Sequence, residues 1–162
     1  MNILDKVNKI LNNPLFKECL NKNVDTEKNR QFCKHDLSHF LDVARISYIL
    51  VLENDINVDK ETVYAAAILH DIGKWKQYSK QVPHEIASAE IAEQILKQCG
   101  YNEENIKVII NSILSHRIDK NADVNFNSIL YKSDKISRNC FNCKSQELCI
   151  WSNVKKNFSI SY

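Results

Sequence analysis

The amino-acid sequence predicts an all-α fold. Its 162 residues include only two glycines and two prolines, so the chain lacks most of the turn residues that many-stranded folds need. Apolar residues recur mostly at intervals of three and four, the spacing of one helix face. Charged residues make up 26% and apolar residues 44% of the chain, which is typical of an ordinary folded domain. We therefore expect a single compact helical domain over residues 1–162.

The first two predicted helices lie near the amino terminus. An apolar stripe from Ile3 to Leu11 predicts one helix, and Pro14 interrupts it. A second, short helix is expected over residues 15–20. The polar residues 21–30 are predicted to form a loop.

Later helices are predicted from their apolar faces and from residues that favour helix ends. Asp59 and Asn102 can cap helices, because their side-chain oxygens can accept hydrogen bonds from the free amides of a first turn. Pro83 suits a first turn, and Gly100 suits a helix end. Together these features predict helices over residues 35–53, 59–70, 83–100, 102–116 and 125–137.

Charge and hydropathy narrow the classes of function. The net charge of +2 is small for this length, so we expect no stable binding of nucleic acid. The amino-terminal residues lack the apolar core of a secretory signal, and no stretch is long and apolar enough for a membrane span. The sequence therefore favours a cytoplasmic protein without membrane attachment, whose six cysteines are thiols or metal ligands rather than disulfides.

Histidine and aspartate residues recur beside the predicted apolar helix faces. One histidine-aspartate pair is common by chance, but here the pair belongs to a longer ordered series. The series consists of HFLDVA at His39, AILHDIGK at His70 and Asp71, HEIASAEIA at His84, SHR at His116 and SDK at Asp134. In this order the sequence resembles the HD superfamily of metal-dependent phosphohydrolases.

The resemblance covers residues 35–138 and implies an HD-domain helical bundle whose His and Asp side chains converge on one cleft. The single-metal pattern of that superfamily corresponds to His39, His70, Asp71 and Asp134. His84 and His116 stand where its two-metal subset carries further ligands. We expect Asp71 to bridge two divalent ions, with His39, His70 and Asp134 on one ion and His84 and His116 on the other. Imidazole and carboxylate suit Fe, Mn, Ni or Zn, and two such ions can activate water for attack on phosphorus.

Three further residues are candidates for catalytic roles. His35 lies four residues before His39, so it could line the pocket from the same helix face. A solvated histidine in the first helical turn is the interpretation that the sequence favours. Lys74 and Arg138 follow Asp71 and Asp134 closely and could hold a substrate phosphate, although each could equally be a solvated surface residue.

A cysteine cluster follows the HD-like region, in residues 139–162. Cys140, Cys143 and Cys149 form a C-x2-C-x5-C pattern, and Cys33 is the leading candidate for a fourth ligand. A structural zinc ion and an iron–sulfur cluster are both compatible with four thiolates, and the spacing matches neither of the common ferredoxin patterns closely, so zinc is the favoured interpretation. Reduced thiols without a metal are the alternative, and a redox disulfide is a further one. Cys19 and Cys99 lie among apolar residues and are predicted to be core thiols.

The predicted activity is the metal-dependent hydrolysis of a phosphate ester or anhydride in a small molecule, and the favoured substrate is a nucleotide or dinucleotide. The ligand order and the DKISR sequence after Asp134 resemble the bacterial symmetrical dinucleoside tetraphosphate hydrolases. Two alternatives remain. Some members of the superfamily hold two irons with the same six ligands and activate oxygen, and a sensor of nucleotide or metal without catalysis would belong to a third class.

Overall fold

The computed structural model describes residues 4–117 and 123–162, and within these ranges its regular secondary structure is helical. The all-α prediction is therefore confirmed. The helices in chain order are α1 (Asp5–Asn12), α2 (Pro14–Thr26), α3 (Leu37–Glu53), α4 (Lys60–Leu69), α5 (Lys74–Lys80), α6 (His84–Gln98), α7 (Glu103–Ser115) and α8 (Phe126–Ile136), followed by a short 3-10 helix at Cys140–Asn142. Ile3, at the start of the first predicted apolar stripe, lies outside the described residues.

Several predicted helix ends agree with the structure. Asp59 caps α4 by accepting a hydrogen bond from the backbone N–H of Thr62. Asn102 caps α7 in the same way, with Asn105 as the donor. Pro83 directly precedes α6, which ends two residues before Gly100.

Other boundaries were predicted wrongly. The predicted loop over residues 21–30 is helical as far as Thr26, because α2 continues through it. Helix α3 begins at Leu37 rather than at residue 35, since Asp36 takes the capping position and accepts from the backbone N–H of His39. Helix α5 was not predicted, because KWKQYSK has no buried residue and so no apolar stripe.

Helix α4 lies at the centre of the hydrophobic core. Seven of its ten residues are buried, and it packs against α1, α3, α6 and α7. The small side chains of Ala65, Ala66 and Ala67 let the neighbouring helices approach closely. Because α4 ends at Leu69, the following His70 and Asp71 are held at the buried end of the central helix.

The turn after α4 packs directly on the backbone of α6. Gly73 lies in this turn, and a Cβ atom added there would be 2.6 Å from both the Ala87 carbonyl carbon and the Ser88 backbone nitrogen. The Gly73 N–H donates to the Ser88 hydroxyl at 2.9 Å. The position therefore requires glycine because of this close approach, and the contact joins the Asp71 turn to α6.

The chain after α8 continues as a series of turns. Asn157 connects it to the helical body, because its side-chain amide donates to the carbonyls of Lys135 and Arg138. Tyr162 donates to Glu53 on α3. Among the described residues, no helix combines the length and the hydropathy that crossing a membrane requires.

Candidate metal centre

Six histidine and aspartate side chains converge where the core helices begin or end. His39 lies in the first turn of α3, His84 begins α6, and Asp134 lies near the end of α8. His70 and His116 directly follow α4 and α7, and Asp71 comes next after His70. All six are buried, with at most 7% of any residue exposed. The core therefore holds them on one cleft, as the sequence predicts.

Their ligand atoms form two groups that share Asp71. Within each group, one ligand atom per residue lies within 4.8 Å of the others. The first group is His39, His70, Asp71 and Asp134, and the second is Asp71, His84 and His116. This division is the same as the one expected for two ions with Asp71 between them.

The two carboxylate oxygens of Asp71 face different histidines. Its Oδ2 lies 3.2 Å from Nε2 of His70. Its Oδ1 lies 3.3 Å from Nε2 of His84 and 3.5 Å from Nε2 of His116. On the other side of the first group, Oδ1 of Asp134 is 3.1 Å from Nε2 of His39. A carboxylate with one oxygen in each group has the arrangement that a bridging ligand needs.

Hydrogen bonds behind the histidines direct their Nε2 atoms inward. Nδ1 of His70 donates to the Ala67 carbonyl at 2.6 Å, and Nδ1 of His116 donates to the Ile113 carbonyl at 2.5 Å. Each carbonyl belongs to the preceding helical turn. Such contacts fix the tautomer and the ring orientation of metal-binding histidines. The helix backbone thus prepares these two imidazoles to present a lone pair to the cleft.

Two polar atoms at the centre are buried without a hydrogen-bond partner in the described residues, namely Nε2 of His70 and Oδ1 of Asp71. Buried polar groups are almost always paired, because an unpaired one loses its interaction with water. Both atoms belong to the potential ligand groups. Orphaned imidazole and carboxylate atoms at this position fit divalent transition-metal ions.

Charge interactions within the cluster favour its ionised carboxylates. Burial raises the pKa of Asp71 and of Asp134, but the surrounding histidines outweigh it and hold both pKa values well below the usual range. Burial lowers the pKa of His39 to about 4 and that of His84 to about 3, against the opposing effect of the nearby carboxylates. Burial also opposes a charge on His70, but the carboxylates of Asp71 and Asp134 outweigh it and raise the pKa of His70 to about 10. Carboxylate and neutral imidazole are the forms that bind metal ions, so binding of an ion at His70 would release its proton.

A cavity of about 460 Å³ opens above this centre and has a basic rim. Lys74 and Arg138 line it, as the sequence suggests, and Nζ of Lys74 lies 3.2 Å from Nδ1 of His84. Burial lowers the pKa of Lys74, against the pull of the nearby Asp71 charge. Arg138 donates to the Lys34 carbonyl at 2.8 Å and places Nη2 at 3.0 Å from Nε2 of His39.

Sequence reasoning missed three further basic residues of the rim, Arg30, Arg117 and Lys135. Lys135 pairs with Asp134 at 2.5 Å, and Arg117 pairs with Glu85 at 3.3 Å. Nothing in the sequence distinguishes them from the other members of a set of 22 lysines and arginines. Only the fold collects them around one opening.

The sequence favoured a solvated His35 in the first turn of α3, but the structure places it elsewhere. His35 is buried and lies before α3. Its Nε2 is 3.6 Å from Oδ2 of Asp71, and it lines the same cavity. Its Nδ1 and its backbone N–H both donate to Glu27, at 2.5 and 2.7 Å. His35 therefore lies where the alternative interpretation of the sequence expects it, in the lining of the pocket.

Glu27 was not predicted as part of the site. It is only 2% exposed, and besides His35 it accepts a hydrogen bond from the Tyr78 hydroxyl at 2.8 Å. Burial raises its pKa, but the contacts with His35 outweigh this and lower it. Glu27 therefore holds His35 against the edge of the metal centre.

The four cysteines of the proposed second site line a different cavity. Cys33, Cys140, Cys143 and Cys149 surround a space of about 300 Å³ beside the main cleft. None of the six cysteines forms a disulfide, and Cys19 and Cys99 are buried in the hydrophobic core, as predicted.

The fold and the cleft together define an all-helical protein with a buried His/Asp cluster suited to metal ions. The sequence model of the HD domain family matches residues 36–139. The chain therefore belongs to the HD domain family. Membership supports hydrolase activity in general and the binding of divalent metals.

Similar proteins include one of matching length and several longer ones. An uncharacterized protein of Clostridium beijerinckii is 49% identical over 98% of this chain and all of its own length. Ribonuclease Y of Mycoplasma mycoides is 39% identical over 62% of this chain, and that of Acetivibrio thermocellus is 32% identical over the same share. The matched parts are only 22% and 17% of those two ribonucleases.

A solved structure shares the fold. It is the crystal structure of a predicted HD superfamily hydrolase from an uncultured Thermotogales bacterium, which superposes with a TM-score of 0.62. The match covers 86% of this chain and 80% of that one, at 22% sequence identity. At this sequence identity the likeness shows a shared fold and nothing further.

Proposed function

We propose that this protein is a metal-dependent phosphohydrolase that cleaves a phosphate ester or anhydride of a nucleotide or dinucleotide. The observation that carries the proposal is the shared Asp71, whose two oxygens face two separate ligand groups beneath a basic rim. Two ions in such a site, when bound, lower the pKa of water and neutralise charge on the phosphoryl group. His39, His70 and Asp134 would hold one ion with Asp71, and His84 and His116 the other.

The remaining side chains of the cleft would bind and orient the substrate. Lys74 and Arg138 lie beside ligands of opposite halves of the centre, so they can contact phosphoryl oxygens from two sides. Charge that grows on those oxygens in the transition state is stabilised by such fixed cations. His35 faces Asp71 and is held by Glu27, which suits it to hydrogen-bond water or a phosphate oxygen at the edge of the centre.

The nucleotide part of the proposal is supported by the walls of the cavity. Phe32 and Trp151 line it together with the basic residues, and both are partly exposed. Aromatic faces of this kind stack on nucleobases. A basic rim combined with aromatic surface suits a ligand that carries both phosphate and a base.

A second candidate substrate is the phosphodiester bond of RNA, favoured by the similarity to the ribonucleases named above. The net charge of +2 provides little long-range attraction for a polyanion. We therefore expect short oligoribonucleotides, if cleaved, to be poorer substrates than nucleotides or dinucleotides.

The class of reaction can be tested with metal-loaded protein under anaerobic conditions. Nucleotides, dinucleoside polyphosphates, phosphomonoesters and short oligoribonucleotides should be incubated in turn, and released phosphate and nucleotide products measured. Phosphoryl cleavage without oxygen supports the proposal. Turnover that requires oxygen would assign the protein to the diiron oxygenases, and metal and nucleotide binding without turnover would assign it to the sensors.

The role of the rim can be tested with Lys74→Ala and Arg138→Ala. Each change should lower kcat/KM for a phosphate substrate by about 10- to 100-fold, equivalent to about 1.4–2.7 kcal/mol, while two ions remain bound. Lys107→Ala is the matched control, because Lys107 is exposed on α7 and does not line the cavity. Unchanged kinetics in the first two variants would remove them from the substrate site.

A further inference from the structure

The carboxy-terminal cysteines are brought together by three successive turns. The backbone N–H of Cys143 donates to the Cys140 carbonyl, that of Gln146 to Cys143, and that of Cys149 to Gln146, at 3.1, 3.2 and 3.4 Å. Each turn reverses part of the chain over three residues. The C-x2-C-x5-C pattern therefore folds into a short coil that carries three thiols.

The fourth cysteine reaches this coil from a distant part of the sequence. Cys33 lies between α2 and α3, and it lines the same cavity of about 300 Å³ as the other three. Burial raises the pKa of its thiol, and the charges of the other three cysteines raise it further, against the effect of Arg138. Ser145 donates to the Gln31 carbonyl at 2.8 Å, which fixes the coil beside the segment that carries Cys33.

No three of the four cysteine sulfurs lie within 4.8 Å of one another. A zinc–sulfur bond of about 2.3 Å places the sulfurs of a tetrahedral site about 3.8 Å apart. Among residues 4–117 and 123–162, the groups with three or more ligand atoms within 4.8 Å of one another consist of histidine and aspartate. The cysteines thus surround a space instead of a point. An iron–sulfur cluster needs that arrangement, because its irons, rather than one central atom, take the thiolates.

We infer that Cys33, Cys140, Cys143 and Cys149 bind an iron–sulfur cluster in this cavity, beside the His/Asp centre. The inference does not depend on the proposed hydrolase activity, since it rests on a separate set of residues.

The segment that carries the three cysteines needs such an anchor. Cys140 is the last buried residue in the described ranges, and Ile150 and Val154 are each 96% exposed. A segment with almost no buried apolar surface cannot offset the conformational entropy lost on ordering. Binding of a metal group to thiolates supplies folding free energy directly. The cluster would therefore take the place of a hydrophobic core for residues 139–162.

The anchored segment also forms a wall of the active-site cavity. Cys149, Ile150 and Trp151 line that cavity, and Cys149 and Trp151 line the cysteine cavity as well. Arg138 and Cys33 line both cavities. Loss of the cluster should therefore release Trp151 from the substrate site as well as lower stability.

The test is to purify the full chain anaerobically and to measure iron, zinc and acid-labile sulfide per chain. Sulfide is the decisive quantity, because ions at the His/Asp centre bring none. We expect about two sulfides per chain for a two-iron cluster or about four for a four-iron cluster, with a broad visible absorption that dithionite bleaches and a paramagnetic signal in the reduced protein. Zinc at about one ion per chain without sulfide, or thiols that take up neither iron nor sulfide on reconstitution, would overturn the inference.

Variants separate this site from its neighbours. Cys143→Ala and Cys33→Ala should each lose most of the sulfide and lower the melting temperature, whereas Cys99→Ala, which removes a core thiol outside the cavity, should keep the sulfide. Asp71→Ala should lose the His/Asp metals and keep the sulfide. Full sulfide in Cys33→Ala would overturn the four-thiolate site. If a cysteine variant does not fold, the sulfide content of the unaltered protein still shows whether the cluster is present.

Discussion

The His/Asp centre and the cysteine coil are neighbouring groups of potential metal ligands that the chain supports in different ways. The His/Asp ligands lie at the ends of packed helices and are at most 7% exposed. Two of them, His70 and His116, donate hydrogen bonds to the helix carbonyls of Ala67 and Ile113. The cysteines after α8 lie on consecutive turns, and the residues beyond Cys140 are all at least partly exposed.

This difference shows which interactions offset the conformational entropy that is lost when each group of ligands is ordered. The helical core orients the first group through packing that would form without metal, so its ligands can be specialised for chemistry. The second group lies on a segment with little buried apolar surface, so ligands of the inferred cluster would contribute mainly to stability. Removing one ligand should accordingly have opposite consequences in the two groups, with activity lost in the first and the fold of a segment lost in the second.

The largest effect is expected from Asp71→Ala. Because Asp71 is the residue common to both ligand groups, the variant should lose both ions and at least about a thousandfold in activity, equivalent to about 4 kcal/mol. Circular dichroism should still show a folded helical protein. Elemental analysis of the purified variant checks the metal content, and full retention of two ions would refute the shared-ligand assignment.

The two halves of the centre should respond separately to removal of a histidine. His84→Ala should weaken the ion of the second group and spare the first, whereas His39→Ala should do the reverse. Titration of each variant with a divalent metal, followed by calorimetry, measures the two affinities. Equal loss of both ions in both variants would show that the division between the groups is wrong.

A smaller effect is expected from Glu27→Gln. The change removes the charge that holds His35, and alteration of such supporting partners typically costs about 10- to 100-fold in activity. We expect kcat to fall with both ions still bound and the melting temperature little changed. Glu18→Gln is the control, because Glu18 is an exposed residue of α2 that pairs with Lys22 at the surface. A change in KM alone would argue against a positioning role.

The smallest effect is expected from Val154→Ser. Val154 is 96% exposed, so its replacement should change the free energy of unfolding by no more than about 0.5 kcal/mol. The melting temperature of the unaltered and variant proteins checks this. A marked decrease would show that apolar contacts anchor the segment, and the contrast between the two regions would disappear.

The sequence allowed the fold class and the ligand order to be predicted, because both depend on local features. Asp59 and Asn102 act as helix caps wherever a helix follows them, and the order from His39 to Asp134 is visible without coordinates. Packing of the predicted helices is sufficient to bring the histidines together. An error of a few residues in a predicted helix boundary changes neither the fold class nor the ligand order.

The supporting residues could not be predicted, because their partners are distant in the chain. Asn23 is fully buried, donates to the Asp71 carbonyl and accepts from the Trp75 backbone N–H, yet it lies in a polar stretch that resembles a loop. Glu27 belongs to the same stretch. A polar residue that is buried by tertiary contacts looks like a surface residue until its partner is known.

Gly73 shows how much can depend on an atom that is absent. The α6 backbone lies against the turn after Asp71 because no Cβ stands between them. His84 begins α6, so the width of this contact also sets how far His84 lies from Asp71. Any larger side chain at position 73 would act as a wedge between them, and the first consequence would be a centre whose two halves no longer share a ligand.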